Sequence, residues 1–448
     1  MGTKTWAYRL LLAMAGLAPA AAGAEDLLDI YREAVANDPV LAGADARRLV
    51  AAEAVPQARS ALLPQLSAGL EMQQFHPGRV YSDGTDQGTS TGGGHSRQRD
   101  FTLALDQTVV DVSKFARERG AHDTADAQEE TYRGELQSLY VRVATAYFNV
   151  LVAQDQLEVF QSYEDGYKAQ NEQAKVLVQQ GINPAADVSQ SEAYYFFIRS
   201  QRVSVQNTLQ DARRALQELT GKEPGHLKTL REDLPMQPPS PNDAQAWVDQ
   251  AMNQNPDILA AGHLVKADEH SITAARAGHL PTVGLAMGYD KTGAWSNTMR
   301  GGAGYGPGNT TVGLVLTVPL FSGGLTQSQV RQAIHQRDAD QDDLEALRRH
   351  TARDAYNYFN QVVDGIGQVN DARGSVDAAK KALDSLRAGY DIGTQSLTNV
   401  VVAIEQLANV RSQYISVRHQ FILNKLNLKR SAGVASLEDI EEINRLLQ

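Results

Sequence analysis

The chain has 448 residues, of which 42% are hydrophobic, and it carries a formal net charge of −11 and no cysteine. A mean hydropathy of −0.37 excludes a polytopic helical membrane protein, and the acidic balance argues against nucleic acid as a partner. The absence of cysteine excludes disulfides and thiolate chemistry, whether catalytic or metal-binding.

The N-terminus has the pattern of an export signal. Lys4 and Arg9 precede an apolar run over residues 10–17, and residues 22–24 (Ala-Gly-Ala) form a small-residue cleavage site. A transmembrane anchor is the alternative, but the run is short and no stop-transfer charges follow it. We predict that residues 1–24 are a signal peptide. No later apolar run approaches the roughly 18 residues of a membrane helix, so any membrane segment must consist of strands.

The rest of the chain consists of two copies of one unit. Residues 34–39, which end in Asn-Asp-Pro, match residues 251–256, which end in Gln-Asn-Pro. The further matches are Leu63-Pro64 with Leu280-Pro281, Tyr147-Phe148-Asn149 with Tyr358-Phe359-Asn360, Gly181 with Gly393, and Thr220-Gly221 with Ala432-Gly433. The repeat predicts four parts: a first repeat at 25–221, a linker at 222–242, a second repeat at 243–433 and a C-terminal equatorial segment at 434–448.

Each copy is predicted to hold a helix, two strands, a long helix, a tight turn and a final helix. In the first copy Pro39 opens a helix that runs to about residue 63, with a kink at Pro56. The predicted strands lie at about 65–75 and 100–110 in the first copy and at about 282–290 and 311–320 in the second. The long helices lie at about 112–180 and 325–392.

The long helices show heptad spacing. The two stripes of the first are Leu136, Val143, Val150 and Leu157, and Leu139, Ala146, Ala153, Phe160, Tyr167 and Ala174. The second repeats the pattern with Ala355, Val362, Val369, Val376 and Leu383, and with Tyr358, Gly365, Ala372, Ala379 and Leu386. A sustained seven-residue repeat predicts left-handed coiled-coil packing.

The predicted strands alternate apolar residues with small or polar ones, as Leu66, Leu70 and Met72 do with their neighbours. This pattern is typical of transmembrane barrel strands, although a half-buried soluble sheet is the alternative. Four strands cannot close a barrel, because the smallest membrane barrels have about eight, and an open edge cannot lie in lipid. A barrel therefore requires several copies of the chain.

Several motifs carry a family resemblance. They are the two Asn-Pro-type helix starts, the two Leu-Pro strand entries, Val318-Pro319-Leu320-Phe321-Ser322-Gly323-Gly324, Ala146-Tyr147-Phe148-Asn149, the turn at 181–188, and Ala388-Gly389-Tyr390-Asp391-Ile392-Gly393. In this order and duplicated, they make the sequence similar to the TolC family of trimeric outer-membrane channel-tunnels over nearly all of residues 25–448.

The resemblance implies a mainly α fold with a membrane β-barrel. Three copies would form a twelve-stranded barrel in the outer membrane of a Gram-negative bacterium, continued by an α-helical coiled-coil tunnel in the periplasm. The implied partners are two further copies, outer-membrane lipid, a periplasmic adaptor (membrane fusion protein) and an inner-membrane ABC transporter or other pump. The type I secretion branch is the most similar. A multidrug efflux duct is the alternative within the class, and an exported coiled-coil scaffold is the alternative outside it.

The turns between the long and final helices are predicted to be helix ends followed by restarts. Gly181 would end one helix in the left-handed conformation, Asn183 would cap the next, and Pro184 would be its first residue. Gly393 and Ser396 repeat the pattern. An ordinary hairpin turn without a functional role is the alternative.

By resemblance, these turns are tips at which an adaptor docks and the tunnel narrows. The docking residues would be Gly181, Ile182, Gly393 and Thr394, and the gate residues would be Asp187, Tyr390, Gln395, Asn399, Val402 and Gln406. Asp187 and Tyr390 fall where polar contacts hold the tip closed in the family pattern.

Two departures from the family pattern concern charge. Gln395 stands where the family has a basic residue, and neutral Asn399 and Val402 stand where some members have acidic rings. The constriction is therefore predicted to be uncharged, with Glu405 only beside it.

Other motifs are interpreted without a functional site. The glycine run at 302–306 precedes a strand rather than a helix, so we interpret it as a loop and not a phosphate site. His263 and His270 are interpreted as solvated surface residues, and the aromatic run at 194–197 as helix packing. We predict no catalytic residues, no metal site, no cofactor and no enzyme activity.

Overall fold

The structure, a computed structural model, describes residues 24–75, 96–182, 184–296 and 304–448. Its helices are α1 (Leu27–Asn37), α2 (Pro39–Ser60), α3 (Val112–Gln179), α4 (Ala185–Thr220), α5 (Ala244–Gln254), α6 (Pro256–Ala277), α7 (Leu325–Asp391), α8 (Leu397–Ser431) and α9 (Leu437–Asn444). Its strands are β1 (Gln65–Phe75), β2 (Ser96–Val110), β3 (Thr282–Ser296), β4 (Gly304–Tyr305) and β5 (Asn309–Thr317). Among these residues, no helix combines the length and the apolar character needed to cross a bilayer.

Some sequence predictions lie outside the described residues. These are nearly all of the predicted signal peptide, whose residues 1–23 are not described, together with the cap residue Asn183 and the first part of the glycine run at 302–306. The signal peptide therefore stays a prediction. The rest of the glycine run begins with β4, which pairs with β3.

The chain divides into two compact units. The first unit comprises Met1–Ala44, Arg133–Asn255 and Arg349–Gln448, and the second comprises Asp45–Tyr132 and Pro256–Arg348. Each unit draws on both copies of the repeat, because each contains segments from both halves of the sequence.

In the first unit, the predicted heptad positions form helix interfaces. Val143, Val150 and Tyr167 are at most 1% exposed, and Ala355 and Val362 are fully buried on α7. Side chains at heptad spacing return to the same side of a helix, so a stripe of them can be buried along its whole length. Burial at these positions agrees with the predicted stripes.

The short helices α1 and α5, each of 11 residues, were not predicted from the sequence. The Asn-Pro motifs mark a helix start, but a further helix ends just before each proline. Helices of this length are marginal alone and depend on packing. Leu27, Ile30 and Ala34 of α1 are at most 1% exposed, and the Asp26 side chain accepts a hydrogen bond from the Asp29 N–H at the helix start. A capping aspartate before apolar residues at helical spacing was the available signal.

The predicted linker connects the two ends of the described chain within the first unit. The Lys228 N–H donates to the Glu25 carbonyl at 3.1 Å, and Thr229 exchanges backbone hydrogen bonds with Gln448 at 3.1 and 2.9 Å. Leu227 and Leu230 are buried beside these bridges. The segment is irregular, as predicted, but it is part of the core.

His419 on α8 should make the first unit sensitive to acid. It is 2% exposed, its Nδ1 lies 2.8 Å from the Ile415 carbonyl, and its ring lies 5.4 Å from that of Phe148. Burial lowers its pKa from 6.5 to about 4. A depressed histidine pKa contributes stability that is present above pH 6.5 and is lost as pH falls towards 4. We expect a loss of about 3 kcal/mol over this window.

The measurement is the free energy of unfolding by denaturant at pH 7.5 and pH 4.5, followed by helical circular dichroism. His419→Gln should be less stable at pH 7.5 but should lose less stability between the two pH values. An unchanged pH dependence in this variant would assign the acid sensitivity to other groups.

The second unit contains an antiparallel sheet in the order β1-β2-β3-β5, with β4 also paired to β3. The strand residues predicted to share the apolar face are aligned across the sheet. One row is Leu66, Leu105, Met287 and Val312, and a row on the opposite face is Gly69, Thr102, Asp290 and Asn309. β2 begins earlier and β3 ends later than predicted, because their pairing continues to Ser96 and Ser296.

Every described side chain of β1 and β5, the first and last strands in this order, is exposed in the single chain. Leu66 is 66% exposed and Leu314 is 73% exposed, so no other part of the described chain covers them.

The helices of the second unit contain two differences from the sequence analysis. α2 contains Pro56, as predicted, but it ends at Ser60, slightly before the predicted end near residue 63. The interpretation of His263 and His270 as solvated residues is wrong, because both are only partly exposed and lie near Asp123 of α3. The two helices approach closely at Gly120, where a Cβ atom would lie 3.4 Å from Cβ of His270.

Candidate functional site: the helix turns and the exposed stripe of α8

The turns that follow α3 and α7 have the same hydrogen-bond geometry. Gly181 has a φ of 74° and Gly393 a φ of 78°. In the first turn, the N–H groups of residues 181 and 182 donate to the carbonyls of residues 178 and 177 at 3.0 and 2.9 Å. In the second, residues 393 and 394 donate to residues 390 and 389 at 2.9 and 2.8 Å. Both are Schellman motifs, in which glycine accepts a left-handed conformation that strains other residues.

The helix restarts are less alike. Ser396 caps α8, and its Oγ accepts a hydrogen bond from the Asn399 N–H at 3.3 Å, as predicted. The prediction that Pro184 is the first helical residue is wrong, because Pro184 is extended, with a ψ of 148°, and α4 begins at Ala185. The exposed docking candidates Gly181, Ile182, Gly393 and Thr394 all lie in the two turns.

An apolar cluster supports the turns from within the first unit. Tyr167 of α3, Ile198 of α4, Leu383 of α7 and Val401 of α8 are among its buried members. The Tyr167 hydroxyl donates to the Val401 carbonyl at 3.1 Å and so joins α3 to α8. Tyr390, one of the predicted gate residues, packs at the edge of the cluster. The cluster therefore joins the four helices that the two turns connect.

The aromatic run at 194–197 divides between packing and exposure. Tyr194 and Tyr195 pack against the cluster, and the ring of Tyr194 stacks on Tyr167 at 6.2 Å. Phe196 and Phe197 are 53% and 46% exposed. The packing interpretation is confirmed for the two tyrosines, and for the two phenylalanines it stays a prediction.

Four of the predicted gate residues form one exposed stripe on α8. Gln395 lies in the turn just before the helix, and Asn399, Val402 and Gln406 follow at alternating steps of three and four residues. These steps return to one face of a helix. All four are exposed, and the Asn399 Nδ2 donates to the Gln395 Oε1 at 2.9 Å. Glu405 is half-buried beside the stripe.

The stripe continues beyond the predicted gate without a charge. At the same spacing it includes Asn409, Gln413, Ser416 and Gln420. The first, second and last of these are exposed and Ser416 is half-buried. The available signal was the uninterrupted series of neutral polar residues at heptad steps.

Two polar contacts between helices were not predicted from the sequence. Gln190 of α4 and Thr398 of α8 approach at 3.0 Å, with the Gln190 Nε2 donating to the Thr398 Oγ1. The Ser191 Oγ donates to the Asn171 Oδ1 at 3.3 Å inside the unit. Single polar residues on a helix look alike in sequence whether they contact water or another helix, so no local signal separates these positions. Asp187 lies in the first turn of α4, close to these contacts in sequence.

The long helices, the glycine turns and the sheet together indicate a class of protein. A duplicated unit with two very long helices, matching glycine turns and a small sheet with lipid-type alternation is typical of outer-membrane channels whose helices extend from a strand domain.

Comparison with known proteins gives the family. The profile of the family described as outer membrane efflux protein matches residues 30–222 and 247–434. Outer membrane protein TolC of Vibrio cholerae is 32% identical over 431 residues, covering 96% of this chain and 95% of the relative. Alkaline protease secretion protein AprF of Pseudomonas aeruginosa is 28% identical over 422 residues, covering 93% of this chain and 86% of the relative.

A solved structure agrees in fold. The outer membrane protein VceC from Vibrio cholerae aligns with a TM-score of 0.74 at 18% identity, covering 91% of this chain and 96% of that chain. The chain belongs to the outer membrane efflux protein family, and TolC is among its relatives. The predicted location in the outer membrane and the transport role are confirmed.

Proposed function

We propose that this chain is the outer-membrane exit duct of a tripartite type I secretion system. It would pass protein substrate from an inner-membrane ABC transporter and a periplasmic adaptor to the exterior. The observation that carries the proposal is the likeness over nearly the whole chain to a relative named for alkaline protease secretion. The efflux name of the family supports the second candidate, a multidrug efflux duct.

Three copies of the chain would complete the duct. Of the four long strands of the sheet, β1 and β5 are the outer ones, and their side chains are exposed. Exposed apolar strands with an open edge need to be covered by lipid or by another copy of the chain. A trimer would bring the strand number to about twelve, enough for a closed membrane barrel. The two repeats with their bounds at 25–221 and 243–433 would then supply matching parts of the wall.

The helix turns would form the gate. Opening of this gate would require that some contacts between α3, α4, α7 and α8 break. A polar contact such as that of Gln190 with Thr398 contributes about 1 kcal/mol to the closed arrangement. An adaptor that binds the open arrangement more tightly would shift the equilibrium towards it. The exposed turn residues Gly181, Ile182, Gly393 and Thr394 are the proposed docking points, and Asp187 and Tyr390 remain proposed contacts of the closed state.

The neutral stripe leads to a prediction about ion block. Because Asn399, Val402 and Gln406 carry no charge, divalent cations should block the purified channel only weakly in a planar bilayer. Asn399→Asp would place one carboxylate per copy at the same level, and we expect the apparent affinity for Ca²⁺ block to rise at least about tenfold.

Gln173→Asp is the matched control, since it adds the same charge at an exposed position of α3. It should leave the block weak. Tight block of the unmodified channel, abolished by changing Asn399 or Val402, would contradict the neutral constriction. An absence of any conductance would instead favour the exported scaffold.

The cargo is tested separately. The chain should restore secretion of a protease substrate when it replaces its counterpart in a strain that lacks the outer-membrane component, and cross-linked turns should capture an adaptor together with an ABC transporter. Capture of a drug pump instead, with restored drug tolerance and no secretion, would support the efflux candidate.

A further inference from the structure

The close approach of α3 and α6 in the second unit brings together four metal-ligating side chains that the export function does not use. Asp123 and Asp126 lie one turn apart on α3, and His263 and His270 lie two turns apart on α6. The small Gly120 permits the approach, because its Cβ position would be 3.4 Å from Cβ of His270 and 3.5 Å from the Ala267 carbonyl.

Three of these side chains converge on one point. One ligand atom from each of Asp123, Asp126 and His263 lies within 4.8 Å of the other two. His263 Nδ1 is 3.8 Å from the Asp123 Oδ1, which is too long for a hydrogen bond. Two atoms bound to one ion at about 2.1 Å each can lie up to about 4.2 Å apart, so both atoms are within reach of a shared ion.

The His263 Nδ1 is an independent indication of a ligand. This atom is buried and has no hydrogen-bond partner among the described residues. Buried polar atoms are nearly always satisfied, and a bound ion can satisfy one that no protein group reaches. Two carboxylates beside an unpartnered ring nitrogen provide the charge and the lone pair that a divalent cation needs.

His270 has a supporting position. Its Nε2 lies 3.3 Å from Asp123 Oδ2, whereas His263 faces the other carboxylate oxygen, Oδ1. An outer residue that binds the second oxygen of a carboxylate fixes the direction of the first oxygen. We describe His270 as a positioning residue and not as a ligand.

We propose that Asp123, Asp126 and His263 bind a first-row divalent transition-metal ion of the Zn²⁺ type and thereby connect α3 to α6. An imidazole ligand favours Zn²⁺, Ni²⁺ or Cu²⁺ over Ca²⁺ and Mg²⁺, which prefer sites made of oxygen atoms only. With three protein ligands, water would complete the coordination.

The cluster is specific to one pair of helices. The positions that match these four residues in the other copy of the repeat hold Ala46, Glu53, Ile334 and Arg337. The duplicated unit therefore folds without this set of ligands. The ion would add a cross-link within the second unit, and binding to the folded state alone would stabilise that unit.

The experiment uses the full chain, purified in detergent and treated with a chelator. Zn²⁺ alone is titrated into it by calorimetry, and the thermal midpoint is measured with and without Zn²⁺. We expect one tight site per chain and a higher midpoint with the ion. Asp126→Ala and His263→Gln should each weaken binding more than tenfold, and His270→Gln should weaken it about tenfold with unchanged stoichiometry.

His350→Gln is the matched control. His350 forms a comparable pair with Asp354 at 3.1 Å, but no third ligand meets it among the described residues. This variant should bind Zn²⁺ as the unmodified chain does. Asp126 is exposed, so Asp126→Ala should keep the fold, which circular dichroism would check. Absence of a tight site, or a tight site that survives both Asp126→Ala and His263→Gln, would overturn the proposal and leave an ion-pair cluster only.

Discussion

Replacing Gly433 by alanine is expected to destabilise the first unit by at least about 4 kcal/mol, enough to prevent its stable folding. Gly433 has a φ of 76°, and a Cβ atom there would lie 2.2 Å from the Gln254 carbonyl oxygen and 2.7 Å from the Asn255 Cα. These are backbone atoms at the junction of α5 with α6, so a rotamer change cannot relieve the clash.

The backbone around Gly433 is also held from other sides. Its carbonyl accepts a hydrogen bond from the buried Gln137 Nε2 at 2.8 Å, and its N–H donates to the Arg430 carbonyl at 2.9 Å. The Asn255 side chain donates to the Ser431 carbonyl at 3.0 Å. A shift that makes room for a methyl group would break several of these bonds.

Gly221 is the matched control, because it occupies the same position in the first copy of the repeat. Its φ is 73°, but the nearest atom to its Cβ position is the Asn37 Cβ at an ordinary 3.7 Å. Gly221→Ala should therefore cost only the conformational strain, about 1 kcal/mol. Denaturant unfolding in detergent measures both variants. Equal losses would show that φ and not the contact with α5 governs the effect.

Replacing Asp38 by alanine should cost about 3 to 5 kcal/mol in the first unit, since it leaves a charged partner without its counter-ion. Asp38 is 2% exposed, and its carboxylate accepts hydrogen bonds from both terminal nitrogens of Arg142 at 2.7 and 3.3 Å. It also caps α2, accepting from the Leu41 N–H at 3.1 Å. Asp38→Asn should cost about 2 kcal/mol, because the amide can keep the cap but loses the charge.

The effect of Asp38 depends on pH in a defined direction. Burial acts to raise its pKa, but the hydrogen bonds from Arg142 and Leu41 outweigh burial and hold the pKa below the ordinary 3.8. The stabilisation is therefore present above pH 3.8 and is lost as pH falls through the lowered pKa. The measurement is the free energy of unfolding of the unmodified chain and of each variant at pH 7 and below pH 4. The difference between the unmodified chain and Asp38→Asn should be smaller below pH 4 than at pH 7.

An exposed ion pair serves as the control for Asp38. Glu172 and Lys175 of α3 lie 3.2 Å apart, with side chains 66% and 40% exposed. Glu172→Ala should change stability by about 0.5 kcal/mol or less, because water screens exposed pairs. A comparable loss at both positions would mean that burial of Asp38 contributes nothing beyond an ordinary surface pair.

The two repeats were predictable because their signals are local. Gly181 and Gly393 end helices since only glycine accepts the left-handed turn without strain, and the alternation of Leu66 with its neighbours follows from the two-residue period of a strand. The heptad stripe through Val143 and Val150 similarly needs no knowledge of the partner helix. These patterns carried the family resemblance, and the family comparison agrees with it.

Where the sequence did not predict the structure, the reason is that packing decides the outcome. Pro184 satisfies the usual rule for the first residue of a helix, yet it lies one residue before α4. The short α1 exists because Leu27, Ile30 and Ala34 are buried against the rest of the first unit. Phe196 and Phe197 are exposed, whereas the neighbouring tyrosines pack, and the run of four aromatic residues does not distinguish them.

The amino-acid sequence by itself determined the long helices, the glycine turns that end them and the alternating faces of the strands, because each depends on residues a few positions apart. Only the tertiary structure decided that Gly433 has no room for a Cβ atom beside the backbone of Gln254, while its counterpart Gly221 has room beside Asn37. It likewise decided that His263 meets Asp123, far away in the chain. Such contacts depend on how two helices approach one another, and the side chains of either helix alone do not specify that distance.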